Sequence, residues 1–315
     1  MKQITHTILM VRPAGFRMNE QTAVNNYFQE DLDMKNETIN NKAQEEFDAF
    51  AAQLQSKGIE VIIVEDTRNT DTPDAVFPNN WVSFHETGDV VLYPMFAENR
   101  RPERREDILD LLENKGFYIK EITDYSSAEE DGLFLEGTGA LVLDRVNRKA
   151  YCALSPRASE ELLIEFCEDF EYTPVIFTAY QSVDGERLPI YHTNVMMCVG
   201  EDFAVICPDA IDDKKERKQV MAHLKADGKD IIPITEAQIH QFAGNMIQVE
   251  SKDGKRYIVM SESAFRALTE KQIAGLTSYG EILHSPLERI ETCGGGSARC
   301  MMAEVFLPGI QTMQA

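Results

Sequence analysis

Positive charge is scarce in this chain: 31 lysines and arginines stand against 53 aspartates and glutamates, a net charge of −22 over 315 residues. Nucleic-acid binding needs a basic face, so that class of partner is excluded. The one dense basic run, NRRPERR at 99–105, is too short to reverse the field and is expected to form a local anion site. No apolar run approaches the length of a membrane span, and MKQITHTILMV lacks the basic stretch and cleavage site of a signal peptide, so a cytoplasmic protein without a membrane partner is expected. The six cysteines, at 152, 167, 198, 207, 293 and 300, show no CxxC or other metal-ligand spacing. They are expected to be reduced thiols, several of them inside apolar strands.

What the chain does have is a ladder. Asn80, Glu136, His192, Asn245 and Cys300 each stand just before an apolar run, at steps of 56, 56, 53 and 55 residues. A near-constant step signals a repeated structural unit. Behind each rung the pattern reads as a short strand, a polar turn and a second strand, as in GALVL, DRVNRK and AYCAL after Glu136, then a helix with one apolar face and a closing strand. The unit that starts at Cys300 lacks its later parts, and the N-terminus supplies them: HTILMV as a strand, NKAQEEFDAFAAQLQSKG as a helix stopped at Gly58, and IEVIIV as the last strand. Pairing the terminal strands removes a free sheet edge. The expectation is one α/β domain spanning 1–315, a five-bladed ring with pseudo-five-fold repeat and the rungs converging at its centre. Residues 13–40 are left over as a long insertion near that mouth.

A carboxylate, an imidazole and a thiol on equivalent rungs are the parts of a cysteine-nucleophile hydrolase. Cys300 follows CGGGSAR, where three glycines let backbone approach a ligand closely. Arg299 beside it favours a thiolate if its side chain turns inward. The other five cysteines have no such setting and are assigned to packing. His192 is assigned as general acid and base, with an ordinary imidazole pKa suited to that work. Glu136, within FLEGTGA and between apolar runs, is expected to be buried and therefore partnered.

With LEGTG, HTNV and GGGSARCM in place, the chain resembles the pentein or guanidine-group modifying superfamily over almost its whole length. That superfamily includes arginine deiminases, dimethylarginine hydrolases, agmatine deiminases and amidinotransferases, and its fold is a five-bladed αβ propeller. TILMVRP, FRMNEQTAVNNYFQ, FPNNW and NRRPERR are similar, more narrowly, to bacterial citrulline-utilization hydrolases. The resemblance implies covalent catalysis at a guanidino or ureido carbon, with Cys300 as nucleophile, His192 as proton carrier and Glu136 as its orienter, and neither a metal nor an organic cofactor. Where arginine deiminases carry two aspartates against the guanidinium, this chain has Asn80 and Asn194. An amide donates as well as accepts, which favours a neutral ureido group such as citrulline over arginine. Asn245 joins them as a substrate-binding candidate. Arg100 or Arg101, and Arg157 in LSPRAS, occupy matching places in successive units and are candidates for a substrate carboxylate; Arg12 and Arg17 are weaker alternatives. Competing readings are an arginine deiminase-type hydrolase, an amidinotransferase, and a non-catalytic pentein binding module. A homodimer is the expected assembly.

Overall fold

The computed structural model describes residues 1–67 and 69–310. Among them, five three-stranded sheets share one connectivity: a first strand pairs antiparallel with a second, which pairs parallel with a third. Parallel neighbours need a long crossover, and helices supply it. The sheets are Val82–Phe84, Asp89–Leu92 and Glu121–Asp124; Leu141–Asp144, Lys149–Ala153 and Thr173–Phe177; Met197–Val199, Phe203–Ile206 and Asp230–Pro233; and Ile247–Glu250, Arg256–Ser261 and Glu281–Ser285. The fifth joins the two ends of the chain. Ala303–Glu304 pairs with Thr7–Arg12, Leu9 facing Ala303, and Thr7–Arg12 runs parallel to Glu60–Glu65. The architecture is mixed α/β, and no helix among the described residues is long and apolar enough to cross a membrane.

The helix of the terminal unit, Asn36–Ser56, buries Ala43, Phe47, Phe50, Ala51 and Leu54, the stripe its spacing predicts. Full burial of each phenylalanine contributes about 1.5–3 kcal/mol. Gly58 stops the helix at φ 80°, a conformation that a side chain disfavours. Other elements depart from expectation for local reasons. The pattern over 265–276 suggests one helix, but Ser261 and Thr269 each cap a separate one, Glu262–Ala267 and Glu270–Thr277, the second through a capping box with Gln272. The closing strand expected from Phe117 starts at Glu121, because Phe117 instead bridges to Gly309 and the Tyr118 N–H donates to Pro308 O. A hairpin, Tyr180–Val183 with Glu186–Pro189, turns on Asp184 and Gly185, both at positive φ.

Candidate active site

Four rungs sit within or next to single helical turns rather than on strand starts, and Asn245 lies in the loop just before Ile247–Glu250. Asn80 ends the turn Pro78–Asn80, Glu136 and His192 immediately precede Gly137–Ala140 and Thr193–Val195, and Cys300 lies within Ala298–Met301. All five rung side chains are buried. Asn80, His192 and Cys300 line one tight cavity, together with Asp74, Phe77, Tyr191 and the arginines 100 and 157.

Glu136 and His192 are directly joined, Nε2 to Oε2 at 2.7 Å. The other carboxylate oxygen of Glu136 accepts the Phe96 N–H at 3.1 Å, while Arg157 and Arg100 stand 3.5 and 3.8 Å from Oε2. Burial alone pushes Glu136 up, but Arg157, His192 and Arg100 together hold its carboxyl well below the usual range. Burial pushes His192 down from the ordinary value, and the pull of Glu136 only partly offsets this. The expected near-neutral imidazole is therefore replaced by a neutral ring in the unliganded site. Its Nε2–H donates to the carboxylate, which leaves Nδ1 as the proton acceptor.

Gly139 makes this packing possible, since a Cβ there would lie 2.7 Å from His192 Nδ1 and 2.4 Å from Asn80 Nδ2. Gly139→Ala is expected to displace both groups and lower kcat about 100-fold, the cost of a misplacement near 1 Å. Steady-state kinetics on the folded variant check this.

A pH prediction follows from the imidazole. As pH falls below 6.5 the unfolded chain takes up a proton that the buried ring refuses, so folding stability is lost toward the depressed folded pKa. The contribution is at most about 1.4 kcal/mol per pH unit. In urea unfolding at pH 7, 6 and 5, His192→Gln is expected to show a shallower decline than wild type; parallel declines would contradict a neutral buried ring.

At Cys300, two amides converge on the sulfur. Asn245 Nδ2 lies 3.2 Å and Asn194 Nδ2 3.5 Å from Sγ. Asn245 is held by donating to Asn194 O at 3.1 Å and accepting the Arg299 N–H at 3.1 Å. Such donors stabilise negative charge as it develops on sulfur. Asn245→Ala is expected to slow iodoacetamide alkylation of Cys300 at pH 7 by roughly tenfold, about one lost hydrogen bond to a charged atom. Arg299 turns away from the sulfur toward Glu304, at 2.6 Å.

Arg100 and Arg157 are both buried at the cavity wall, whereas Arg101 faces Glu129 at 3.2 Å outside it. The basic run is neutralised internally: Arg104 also reaches Glu129 and Arg105 pairs with Asp107. An open anion site at 99–105 is thus replaced by ion pairs. Arg12 and Arg17 bind Asp48 and Asp71 near the surface. Arg100 forks onto Glu103 at 2.9 and 2.8 Å and donates to Asn80 Oδ1 at 2.9 Å. Arg157 stacks on Tyr191, its Cζ 4.8 Å from the ring centre, and donates to Asn25 Oδ1 and Thr22 O at 2.8 Å.

Asp74 was not marked out by the repeat because it lies six residues before its rung. Its Oδ2 accepts from Asn19 and Thr22 at 2.8 and 3.1 Å, while Oδ1 is buried with no partner among the described residues. The insertion thus closes the cavity: Asn19, Thr22 and Asn25 grip Asp74 and Arg157, and Asn26 donates to Gly294 O and Gly295 O at 3.3 Å. The signal for this lid was its length alone.

A carboxylate–imidazole pair and an amide-cradled thiol around one buried cavity are the parts that a cysteine-nucleophile hydrolase of C–N bonds requires. Residues 12–307 match the family described as N,N dimethylarginine dimethylhydrolase, eukaryotic, and the chain belongs to that family, within the pentein superfamily of guanidino-modifying enzymes. No curated protein matches the chain. Among solved structures, it is similar to apo ArgZ, described as an arginine dihydrolase of the ornithine-ammonia cycle in cyanobacteria, at 19% identity and TM-score 0.72 over 96% of this chain. It spans only 41% of that longer chain, but 99% of the isolated N-terminal domain of ArgZ bound to substrate, at 18% identity and TM-score 0.69. A dimethylarginine dimethylaminohydrolase mutant carrying an S-methyl-L-thiocitrulline adduct matches at 14% identity and TM-score 0.65, with 96% of this chain and 99% of that one covered.

Proposed function

We propose that this chain is a single catalytic domain, its five sheets closed into a propeller, which hydrolyses citrulline to ornithine, ammonia and carbon dioxide. The observation that carries the substrate choice is the state of Asn80. Its Oδ1 is occupied by Arg100, and its Nδ2 donates one hydrogen to Asn79 Oδ1 at 3.2 Å and lies beside Gly139, as His192 Nδ1 does, with its second hydrogen left over. The scissile end thus offers an amide donor, suited to a ureido oxygen, where a guanidinium would need a free carboxylate. Glu136 has both oxygens engaged. Elsewhere on the wall, the unpartnered Oδ1 of Asp74 suits an α-ammonium, and Arg157 Nη1, which also stands 3.5 Å from Glu136 Oε2, suits an α-carboxylate together with Arg100.

In the proposed reaction Cys300 Sγ attacks the ureido carbon and its proton passes to His192 Nδ1. The tetrahedral adduct collapses as His192 returns that proton to the departing amine. Water, deprotonated by His192, then cleaves the thiocarbamate to free the thiol and a carbamate, which falls apart to an amine and carbon dioxide. Citrulline plus one water thereby gives the three products. Glu136 keeps its charge throughout and stabilises the imidazolium formed at each step.

Arginine is the second reading, supported by the arginine dihydrolase description of ArgZ. The deciding assay measures ornithine, citrulline and ammonia from citrulline and from arginine, each with and without added glycine as acceptor. Ornithine from citrulline, unaffected by glycine, is the expected result; citrulline accumulating from arginine, or a guanidino product on glycine, would return the protein to a deiminase or an amidinotransferase. Asn80→Asp is expected to raise the arginine-to-citrulline ratio of kcat/KM about tenfold. Asn194→Asp is expected instead to depress both substrates, since that side chain meets Cys300 Sγ.

A further inference from the structure

A second, small cavity lies on the other side of Asn194, between the first strands of four sheets. Its near end is walled by Asn194 and Arg299, and its far end by Gln3, Arg145 and Val199. Gln3 crosses that end, its Nε2 donating to Leu143 O and Val199 O at 2.9 and 3.1 Å and its Oε1 accepting the Arg145 N–H at 2.7 Å. None of these far-end groups belongs to the catalytic cavity.

Arg145 is anomalous there. It is only 2% exposed, and its Nη1 is sealed from solvent with no partner among the described residues. Its Cζ rests 4.1 Å above the Phe306 ring, a contact that supplies no acceptor for the N–H groups. The neighbouring carboxylates are committed elsewhere: Asp144 to Lys229 at 3.2 Å and Asn147 at 2.9 Å, and Glu304 to Arg299 at 2.6 Å. A guanidinium does not shed its proton, and a buried charge is costly without a counter-charge. The cavity wall therefore carries a guanidinium with one buried, unpaired nitrogen, Nη1, and no carboxylate bonded to it, in a protein whose net charge is −22.

We propose that this rear cavity is a binding site for a small planar oxyanion of the carboxylate or bicarbonate class, held by Arg145. The planar fork of arginine matches two coplanar oxygens, and the cavity has room for a ligand of a few atoms. The site is separate from the substrate headgroup site, and its occupant lies behind the Asn194 amide that touches Cys300 Sγ.

The test compares thermal unfolding in sodium formate with sodium chloride at matched ionic strength. Wild type is expected to show a saturable formate-specific rise in Tm, about 2 °C at ten times the half-saturating concentration. Arg145→Met, which keeps an apolar stem and removes the guanidinium, is expected to melt no lower than wild type in chloride and to lose the formate response. Formate bound at Arg157 would raise both proteins alike, so equal shifts would overturn the proposal, as would no specific shift in wild type. If Arg145→Met does not fold, Arg145→Lys is read in its place. Loss of the fork is expected to raise its half-saturating formate concentration about fivefold or more, and an unchanged value would overturn the site.

Discussion

Cys300→Ser is expected to fold like wild type and to lose turnover by at least about 10⁴-fold. The size of the effect follows from the chemistry: a hydroxyl is far less acidic than a thiol and a far weaker nucleophile near neutrality. The substitution is nearly isosteric, and both amides that touch Sγ can donate to a hydroxyl as well, so stability should change little. The control is Cys293→Ser, seven residues away. Cys293 lies in the helix Glu288–Gly294, fully buried against apolar neighbours, where burial pushes its thiol up. That variant is expected to lose about 1–3 kcal/mol of stability by burying a hydroxyl while keeping most of its turnover. Comparable loss of kcat in both would remove Cys300 from the role of nucleophile.

Glu136→Gln is expected to lower kcat/KM roughly 10³-fold and to destabilise the fold by about 3–5 kcal/mol, two effects with different origins. The kinetic part arises at His192, because a neutral amide cannot stabilise the imidazolium that forms when the ring takes a proton. The stability part arises at Arg157 and Arg100, 3.5 and 3.8 Å from the same oxygen. Removing one partner leaves buried charge uncompensated. Chemical denaturation and steady-state kinetics separate the two, and less than a tenfold kinetic loss would show that Glu136 serves packing alone.

Periodicity made much of this molecule legible. Equal steps between rungs exposed the repeat, the joining of the chain ends and the convergence of Glu136, His192 and Cys300, because a repeated unit puts equivalent positions in equivalent places. What periodicity does not encode is pairing between unlike segments. Arg157 is fixed by Asn25 across 132 residues and Asp74 by Asn19 across 55, and neither pair falls on the repeat. The direction of Asn194 and Asn245 toward Cys300 was hidden for a related reason: type and position suggested a substrate contact, while aim depends on local backbone, a helical turn at Asn194 and a loop at Asn245. The split near Leu268 and the Asp184–Gly185 hairpin were written locally, in a capping box and a two-residue turn signal, and were overshadowed by the longer apolar pattern.

The lid described above pins two charged groups of the cavity wall, Arg157 and Asp74, by part of their hydrogen-bonding atoms. Asn25 and Thr22 sit on Arg157, and Asn19 on Asp74. On the proposed function, an arriving α-carboxylate and α-ammonium meet the atoms these internal ligands leave over, Arg157 Nη1 and Asp74 Oδ1, and those contacts are indifferent to what lies at the far end of the side chain. Ornithine carries the same headgroup as citrulline, so it gains the same contacts and leaves against the same closed roof. Product inhibition is therefore built into the headgroup site, and the residence time of ornithine, rather than the chemistry at Cys300, becomes the natural limit on turnover when product accumulates.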